Sequence, residues 1–309
     1  VGGWVKLDEG RDSTLDGTNN GATTGVTGAV GNAWEFDGTA FPDDYVSLGN
    51  ELSKTLAGTS EVTYSVWFNM HELPSTNGQG NAWDLVGTYD SSWTLAGNNA
   101  VYRGVGINNW YDGSWYIYPE YFPNSESYGR ISGTNLGADT INTWYHMALV
   151  FDGAGATNAD RWKVYLDGVQ KTWDSFQGQQ NIPTTLTYGD YETKIASPLY
   201  SSTYSQFFDG QIDDLIIYDK ALTGSEVSAL YNSGSGTSTP DTNGLVAHYD
   251  FEQTGTTLES QIPTPPANTK LLGVNNVIFN VGVTSASVNT LGTVAGDFEK
   301  TSISSTHSS

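Results

Sequence analysis

The sequence predicts an all-β fold in which two antiparallel sheets pack face to face as a sandwich or jelly roll. Strand-like segments recur every ~8–12 residues. They are separated by turns rich in Gly, Asn, Asp and Ser, and no helical spacers of a βαβ fold lie between them. The 36 glycines, 18 tyrosines and 10 tryptophans suit short strands joined by tight turns.

The clearest strand is VTYSVWFNM at residues 62–70. Alternate side chains from Val62 to Met70 lie on one face and form the expected core side, while Trp67 and Asn69 lie on the other face. Further strands are predicted at residues 4–7, 34–36, 45–48, 85–89, 101–107, 115–118, 144–151, 162–166 and 211–218.

One short helix is expected after the strand at 211–218, and we expect it to be the only helix. Thr223 can cap its first turn, and Glu226 stands at the third position, where it completes a capping box. Val227, Leu230 and Tyr231 then share one helical face.

The sequence divides at a linker. Residues 233–243 consist mainly of Ser, Gly, Thr, Pro and Asn, as flexible linkers do. We therefore predict a β domain at 1–232 and an accessory β segment, or the start of a second domain, at 244–309. As an alternative, this last segment gives a strand to its own sheet or to a neighbouring copy, which predicts a homo-oligomer.

Composition excludes several function classes. The formal charge of −22 repels a phosphate backbone, and no basic cluster offsets it, so we expect no nucleic-acid partner. The absence of cysteine rules out disulfides and thiolate metal ligands. No apolar run reaches the ~18 residues of a membrane span.

Six segments resemble the laminin-G-like family of concanavalin A-like lectin/glucanase domains, which occurs in bacterial, archaeal and phage surface proteins. They appear in the family's order and cover residues 1–232. The resemblance implies a two-sheet antiparallel jelly roll with a curved face, and an extracellular, cell-surface or virion-surface location. The segments are KLDEG at 6–10, AWEFDGTAFPDDYVSL at 33–48, VTYSVWFN at 62–69, TWYHMALVFDG at 143–153, WKVYLDG at 162–168 and FDGQIDDLIIYDKALTGSEVSALY at 208–231.

The resemblance also implies a structural calcium ion between the first strand and the strand near the end of the domain. Asp8, Glu9, Asp16, Asp213 and Asp214 match those places. Calcium prefers six to eight hard oxygen ligands, which carboxylates and loop carbonyls supply. Because Asp213 and Asp214 are adjacent in a strand, we expect them on opposite faces, with at most one as a ligand. The alternative is that these are solvated turn residues.

A second candidate cation loop runs from residue 152 to residue 160. It offers Asp152, Asn158 and Asp160, but it lacks the glycine and the terminal glutamate of an EF-hand. A plain hairpin loop is the alternative that we favour.

Aromatic residues make carbohydrate the candidate ligand, because sugar rings present apolar faces that stack on aromatic side chains. A hairpin tip is expected near residues 110–113. The alternative is that these rings fill the core. The candidate ligand-binding residues are Trp110, Tyr111, Asp112, Trp115, Tyr118 and Trp173.

The sequence offers little support for catalysis, and we expect that the protein is not an enzyme. A glycosidase needs two carboxylates facing one substrate, and the nearest pair here is Asp190 and Glu192. The four histidines are scattered, so no catalytic triad is indicated.

We therefore predict a binding module that recognises a glycan or a protein with the support of calcium. The alternative is a structural subunit of a virion or surface filament that assembles through residues 244–309, and a hydrolase or lyase ranks below both. Fold alone does not separate these functions.

Overall fold

A computed structural model describes residues 13–38, 44–73, 82–89, 103–109, 115–121, 127–178, 182–186, 190–197 and 208–262. Within it, Ser13–Gln261 form one compact unit. Its strands, in chain order, are β1 (Gly17–Asn20), β2 (Thr23–Thr27), β3 (Asn32–Asp37), β4 (Tyr45–Ser47), β5 (Glu61–Met70), β6 (Ala82–Tyr89), β7 (Arg103–Asn109), β8 (Trp115–Tyr121), β9 (Ser127–Ser132), β10 (Trp144–Asp152), β11 (Trp162–Leu166), β12 (Val169–Lys171), β13 (Ser175–Gly178), β14 (Glu192–Ile195), β15 (Asp209–Tyr218), β16 (Leu245–Tyr249) and β17 (Thr257–Leu258). Its helices are α1 (Glu51–Thr55), α2 (Gly133–Leu136), α3 (Asn158–Arg161) and α4 (Gly224–Tyr231), with 3-10 turns at Ser13–Leu15 and Asn232–Gly234.

The strands form two antiparallel sheets, which confirms the predicted all-β sandwich. One sheet has nine strands in the order β13-β9-β8-β7-β6-β14-β4-β1-β17. The other has eight, in the order β12-β11-β10-β5-β15-β3-β2, with β16 also paired to β15. Side chains from both sheets meet in a single large core, which includes Trp34, Phe68, Val86, Met147 and Ile195.

The alternation in β5 places its side chains as expected. Val62, Val66 and Phe68 are buried in the core between the sheets. The intervening residues are buried as well, because α4 and its flanking segments cover the opposite face of this sheet. We call this second side, turned towards α4, the outer face of the eight-stranded sheet.

Helix α4 has the predicted start and the predicted apolar face. Thr223 Oγ1 accepts the Glu226 N–H, and the Glu226 carboxylate accepts the Thr223 N–H at 2.8 Å, which completes the capping box. Val227 and Leu230 pack with Ile216 on the outer face. The prediction of this helix is confirmed.

The expectation that α4 is the only helix is wrong, since the described residues also contain α1, α2 and α3. Each has only four or five residues, too few for a 3.6-residue pattern of apolar positions to be visible. Local caps define two of them instead: Ser132 caps α2, and Thr157 caps α3 together with Asp160.

Strands β16 and β17 close the sandwich. Strand β16 pairs with β15 in one sheet, and β17 pairs with β1 in the other. Between them, Phe251 is fully buried with its ring edge-on to Trp34, whose Nε1–H donates to the Gln253 carbonyl at 2.9 Å. We call residues 245–258 the closing segment, because they bond to both sheets.

The predicted linker at 233–243 therefore connects α4 to β16. This strand belongs to the eight-stranded sheet, on whose outer face α4 packs. For residues 245–258, the alternative in which the segment gives strands to its own sheets is the one observed. The remainder of the predicted accessory segment, residues 263–309, lies outside the described residues. No helix in the described part of the chain has the length and apolar character to cross a bilayer.

Candidate functional site

Strand β15 changes partner in its middle, and the candidate acids lie at that point. On one edge, Asp209–Ile212 pair with β3, whereas Leu215–Tyr218 pair with β16. On the other edge, the register with β5 shifts between Asp213 and Ile216, which forms a β-bulge. Asp214 occupies the bulge with φ of 47°, a left-handed conformation that Asp tolerates better than most residues.

The bulge corrects the expectation that Asp213 and Asp214 lie on opposite faces. Asp213 is directly opposite Trp67 of β5, which belongs to the outer face. Asp214 contacts His248, whose neighbours Ala247 and Tyr249 both lie in the core, so His248 also belongs to the outer face. Both carboxylates therefore reach the same side of the sheet.

Asp213 is fully buried and incompletely bonded. Its Oδ2 accepts the Val30 N–H at 2.8 Å, while Oδ1 has no hydrogen-bond partner. Burial raises the pKa of Asp213 to about 8, and the nearby Asp214 and Glu252 carboxylates add to the rise. A buried carboxyl group with one unpaired oxygen is costly, so this group requires an explanation beyond packing.

Asp214 joins β15 to β16 through a buried pair. Its Oδ1 lies 2.7 Å from His248 Nε2, and both side chains are nearly inaccessible to solvent. Burial raises the pKa of Asp214, while the hydrogen bond from His248 opposes the rise. Since an unpaired buried charge would be expensive, the pair fixes His248 against the sheet.

Two further acids surround this pair. The Glu252 carboxylate accepts the Asn32 backbone N–H at 2.9 Å and the Asn32 side-chain amide at 2.7 Å. Asp250 Oδ1 accepts the Gln253 amide at 2.6 Å. Both carboxylates raise the pKa of Asp214. We call Asp213, Asp214, Asp250 and Glu252 the acidic junction.

The acidic junction does not by itself make a calcium site. Asp16 lies directly before β1, where its Oδ1 accepts the Ser260 N–H at 3.1 Å, and it is not among the charges that shift the pKa of Asp213 or Asp214. Across the described ranges, no three His, Cys, Asp or Glu side chains are grouped so that they could hold a metal. Asp8 and Glu9 lie outside the described residues, so calcium binding stays a prediction.

The loop at residues 152–160 uses its oxygens within the protein. Asp152 pairs with Lys163 at 3.2 Å and accepts the Ala154 N–H, while Asp160 caps α3. Asn158 Oδ1 accepts the Ile182 N–H at 2.9 Å. These bonds fit the plain hairpin loop.

The candidate sugar-binding residues fall into three groups: one between β7 and β8, one in β8, and Trp173 alone. Trp110, Tyr111 and Asp112 lie outside the described residues, in the connection between β7 and β8. Trp115 and Tyr118 lie in β8, within the half of the nine-stranded sheet formed by β13, β9, β8, β7 and β6.

Trp173 is only 8% exposed and belongs to the core. Its Nε1–H donates to the Trp162 carbonyl at 2.7 Å, and its ring packs on Phe176 at 5.8 Å between centroids. This placement corresponds to the alternative in which aromatic rings fill the sandwich.

The register of β8 separates its positions into two faces. Position 117 pairs with Ile131 of β9, which is fully buried in the core. Because strand positions alternate, 115 and 117 belong to the core-side face, whereas 116 and 118 belong to the face directed away from the core. Position 118 lies opposite Gly106 of β7.

Asp190, just before β14, and Glu192, at its start, both bond to neighbouring side chains. Asp190 accepts the Asn50 side-chain amide and is 65% exposed. Glu192 accepts the Ser47 hydroxyl at 2.5 Å and pairs with Lys194 at 3.5 Å.

Sequence reasoning missed a buried polar row on the outer face of the eight-stranded sheet. Asp213, Trp67 and His146 lie directly opposite one another on β15, β5 and β10, and Tyr231 stacks on Trp67 at 5.7 Å. His146 Nε2 lies 2.8 Å from Ser65 Oγ, while its Nδ1 and the Trp67 Nε1 have no hydrogen-bond partner. The available signal was the alternation of polar with core residues in β5, together with His146 between two core residues of β10.

A family model places the chain in a superfamily. The model for concanavalin A-like lectin/glucanases matches residues 37–228, more than half of the sequence. The chain belongs to the concanavalin A-like lectin/glucanase superfamily. No curated protein sequence matches it.

Solved structures similar to this concanavalin A-like chain have low sequence identity. A heptameric SAP-like pentraxin from Limulus polyphemus is 15% identical, with 81% of this chain and 98% of that chain covered and a TM-score of 0.44. Domain 4 of the extracellular arabinanase AbnA from Geobacillus stearothermophilus, in complex with arabinotriose, is 19% identical over 69% and 86% of the two chains, with a TM-score of 0.41. Tailspike protein 2 from an Escherichia coli O157:H7 bacteriophage is 10% identical over 81% and 31%, with a TM-score of 0.49.

The buried His146 gives this concanavalin A-like domain a predictable response to acid. Burial lowers the pKa of His146 from 6.5 to about 3, so the unfolded chain takes up this proton more readily than the folded chain. The free energy of unfolding is therefore unaffected by His146 above pH 6.5 and falls as the pH drops from 6.5 towards 3. We expect His146→Gln to remove on the order of 1–3 kcal/mol of this loss, measured by urea unfolding from pH 7 to pH 4.

The matched control is His71→Gln, because His71 is partly exposed and lies at the end of β5, where it pairs with Asp209. The His71→Gln variant should retain most of the decrease in the free energy of unfolding between pH 7 and pH 4. The pKa values of Asp213 and Asp214 are raised and so act in the opposite direction, which is why the difference between wild type and variant is the quantity to compare. If the free energy of unfolding changed equally with pH in the wild type and in His146→Gln, the lowered pKa of His146 would be contradicted.

Proposed function

We propose that the chain is a non-catalytic glycan-binding module displayed outside the cell or on a virion surface. The observation that carries this proposal is the position of β8. This strand is rich in aromatic residues and lies among β7, β9 and β6, where every second position belongs to the face directed away from the core. Membership of a superfamily described as lectins and glucanases is consistent with it.

The chemistry of β8 suits a sugar ring. Tyrosine combines an apolar ring with a hydroxyl that can bond to sugar hydroxyls. Positions 116 and 118 are both tyrosine, and position 118 pairs with Gly106 of β7. We infer that Tyr118 contacts the sugar, while Trp115 belongs to the core-side face of the same strand.

Binding rather than catalysis is the proposal, because the candidate carboxylates serve other contacts. Asp190 and Glu192 bond to Asn50, Ser47 and Lys194. The acids of the junction bond to backbone, amide and imidazole groups of residues 30, 32, 248 and 253. A hydrolase would require two carboxylates free to act as acid and base on one substrate.

The alternative of an assembly subunit now concerns residues 263–309. Residues 245–258 bond to the two sheets of their own chain and so are committed within it. Assembly through the rest of the segment, and recognition of a protein partner, stay predictions.

The glycan proposal predicts different outcomes for two aromatic substitutions in the same strand. Tyr118→Ala should weaken binding to any glycan identified on an array by about tenfold or more, since a lost ring contact removes ~1.5 kcal/mol or more. Trp115→Ala is the matched control, and it should lower the melting temperature while the affinity of the folded protein changes little. Isothermal titration and thermal melting measure the two effects. Absence of binding across the array, with calcium present, would contradict the proposal.

Calcium support is the second part of the proposal, and the unpaired Asp213 Oδ1 supports it. An ion bound there would stabilise only the folded chain, so excess Ca²⁺ over EDTA should raise the melting temperature. The gain is about 2.7 kcal/mol at a hundredfold excess over Kd. Asp213→Asn should abolish the gain, while the exposed Asp190→Asn should keep it. An identical melting temperature in EDTA and Ca²⁺ would refute calcium binding.

A further inference from the structure

The junction between the linker and β16 contains an exposed asparagine followed by glycine. Asn243 lies in a turn, where its backbone N–H donates to Asp241 Oδ1 at 3.0 Å. Gly244 follows with φ of 78° and has no side chain that would hinder approach to its nitrogen. In the described part of the chain, no hydrogen-bond acceptor holds the Gly244 N–H. The amide nitrogen next to the Asn243 side chain is therefore free to react.

We propose that Asn243 is a site of spontaneous deamidation. The Gly244 backbone nitrogen attacks the side-chain carbonyl carbon of Asn243 and forms a C–N bond, while its proton and the side-chain amide nitrogen leave as ammonia. Water then opens the five-membered imide at one of its two carbonyls. Opening at one carbonyl gives aspartate, and opening at the other gives isoaspartate. The reaction needs only water, with no enzyme and no oxidant.

A second Asn-Gly pair in the same molecule provides an internal comparison. Asn20 precedes Gly21 but lies in β1, where it is paired with Tyr45 of β4. Its side-chain amide donates to the Thr18 carbonyl at 3.0 Å. The extended strand holds the backbone away from the geometry of imide closure, so the strand must open locally before Asn20 can react. The third such pair, at residues 77 and 78, lies outside the described residues.

The modification would alter the backbone directly before the closing segment. The Gly244 carbonyl accepts the Asp219 N–H at 2.9 Å, and Leu245 then pairs with Tyr218. Isoaspartate carries the main chain through the former side chain and so inserts one additional carbon just before these bonds. The new carboxylate also adds negative charge close to Asp219, which packs against Gly244. Deamidation therefore loosens the attachment of β16 to β15.

The test is peptide mapping of the full chain by mass spectrometry during incubation at mildly alkaline pH. We expect modification at Asn243 about tenfold faster than at Asn20, the factor that a local opening of β1 would impose. Both aspartate and isoaspartate should form at residue 243, with isoaspartate identified by enzymatic methylation. Hydrogen exchange of the aged protein should be faster in β16 than in the fresh protein.

Two conservative variants serve as controls. Asn243→Gln should block the reaction at this site, because glutamine must close a larger and slower ring, and it should keep β16 protected during ageing. Asn20→Gln should leave the rate at residue 243 unchanged. An unmodified Asn243, or equal rates at residues 20 and 243, would overturn the proposal. Modification at Asn243 without any change in β16 exchange would overturn its structural consequence.

Discussion

The pairing of β15 is the constraint on which the rest of the structure depends. This strand bonds to β5 along one edge, and it divides its other edge between β3 and β16. A strand with a free half-edge would expose unpaired backbone groups, and β16 covers the half that β3 does not reach. The closing segment then continues to β17, which pairs with β1 in the opposite sheet. The pairing of β15 thus determines how the closing segment joins the two sheets.

The division of the edge also determines where charge is buried. At the change of partner, the chain has a bulge, and the bulge holds Asp213 and Asp214 on the side turned towards α4. Their burial raises both pKa values, and the His248 and Val30 contacts only partly offset the cost. A polar row with unpaired atoms continues across Trp67 and His146. Buried polar groups of this kind favour one arrangement of the strands over alternatives, although apolar replacements of the same shape can be more stable.

The sequence predicted those parts of the fold where local patterns agree with tertiary packing. Alternation located β5, and the cap at Thr223 located α4. Short polar strands such as β2 and β14 were missed. Backbone hydrogen bonds to neighbouring strands hold them in the sheets, and their sequences contain few apolar residues that could indicate a strand. The loose composition of residues 233–243 suggested a domain boundary, but composition contains no information about where the following strand pairs.

The candidate site was less predictable for a related reason. The acidic residues at 213 and 214 could be selected from the resemblance, yet their shared side depends on a bulge that no local pattern encodes. His248, Asp250 and Glu252 join them only because β16 returns to β15 from a distant part of the sequence. Trp115 and Tyr118 are close in sequence, and only the register against Ile131 separates their faces.

Hydrogen exchange of the fresh protein tests this account most directly. If β16 completes the edge of β15, the amides of β16 and β15 should exchange slowly and with the same free energy as those of β5, because all three open only when the sandwich unfolds. Exchange of β16 at the rate of an exposed loop, while β15 and β5 stay protected, would contradict it.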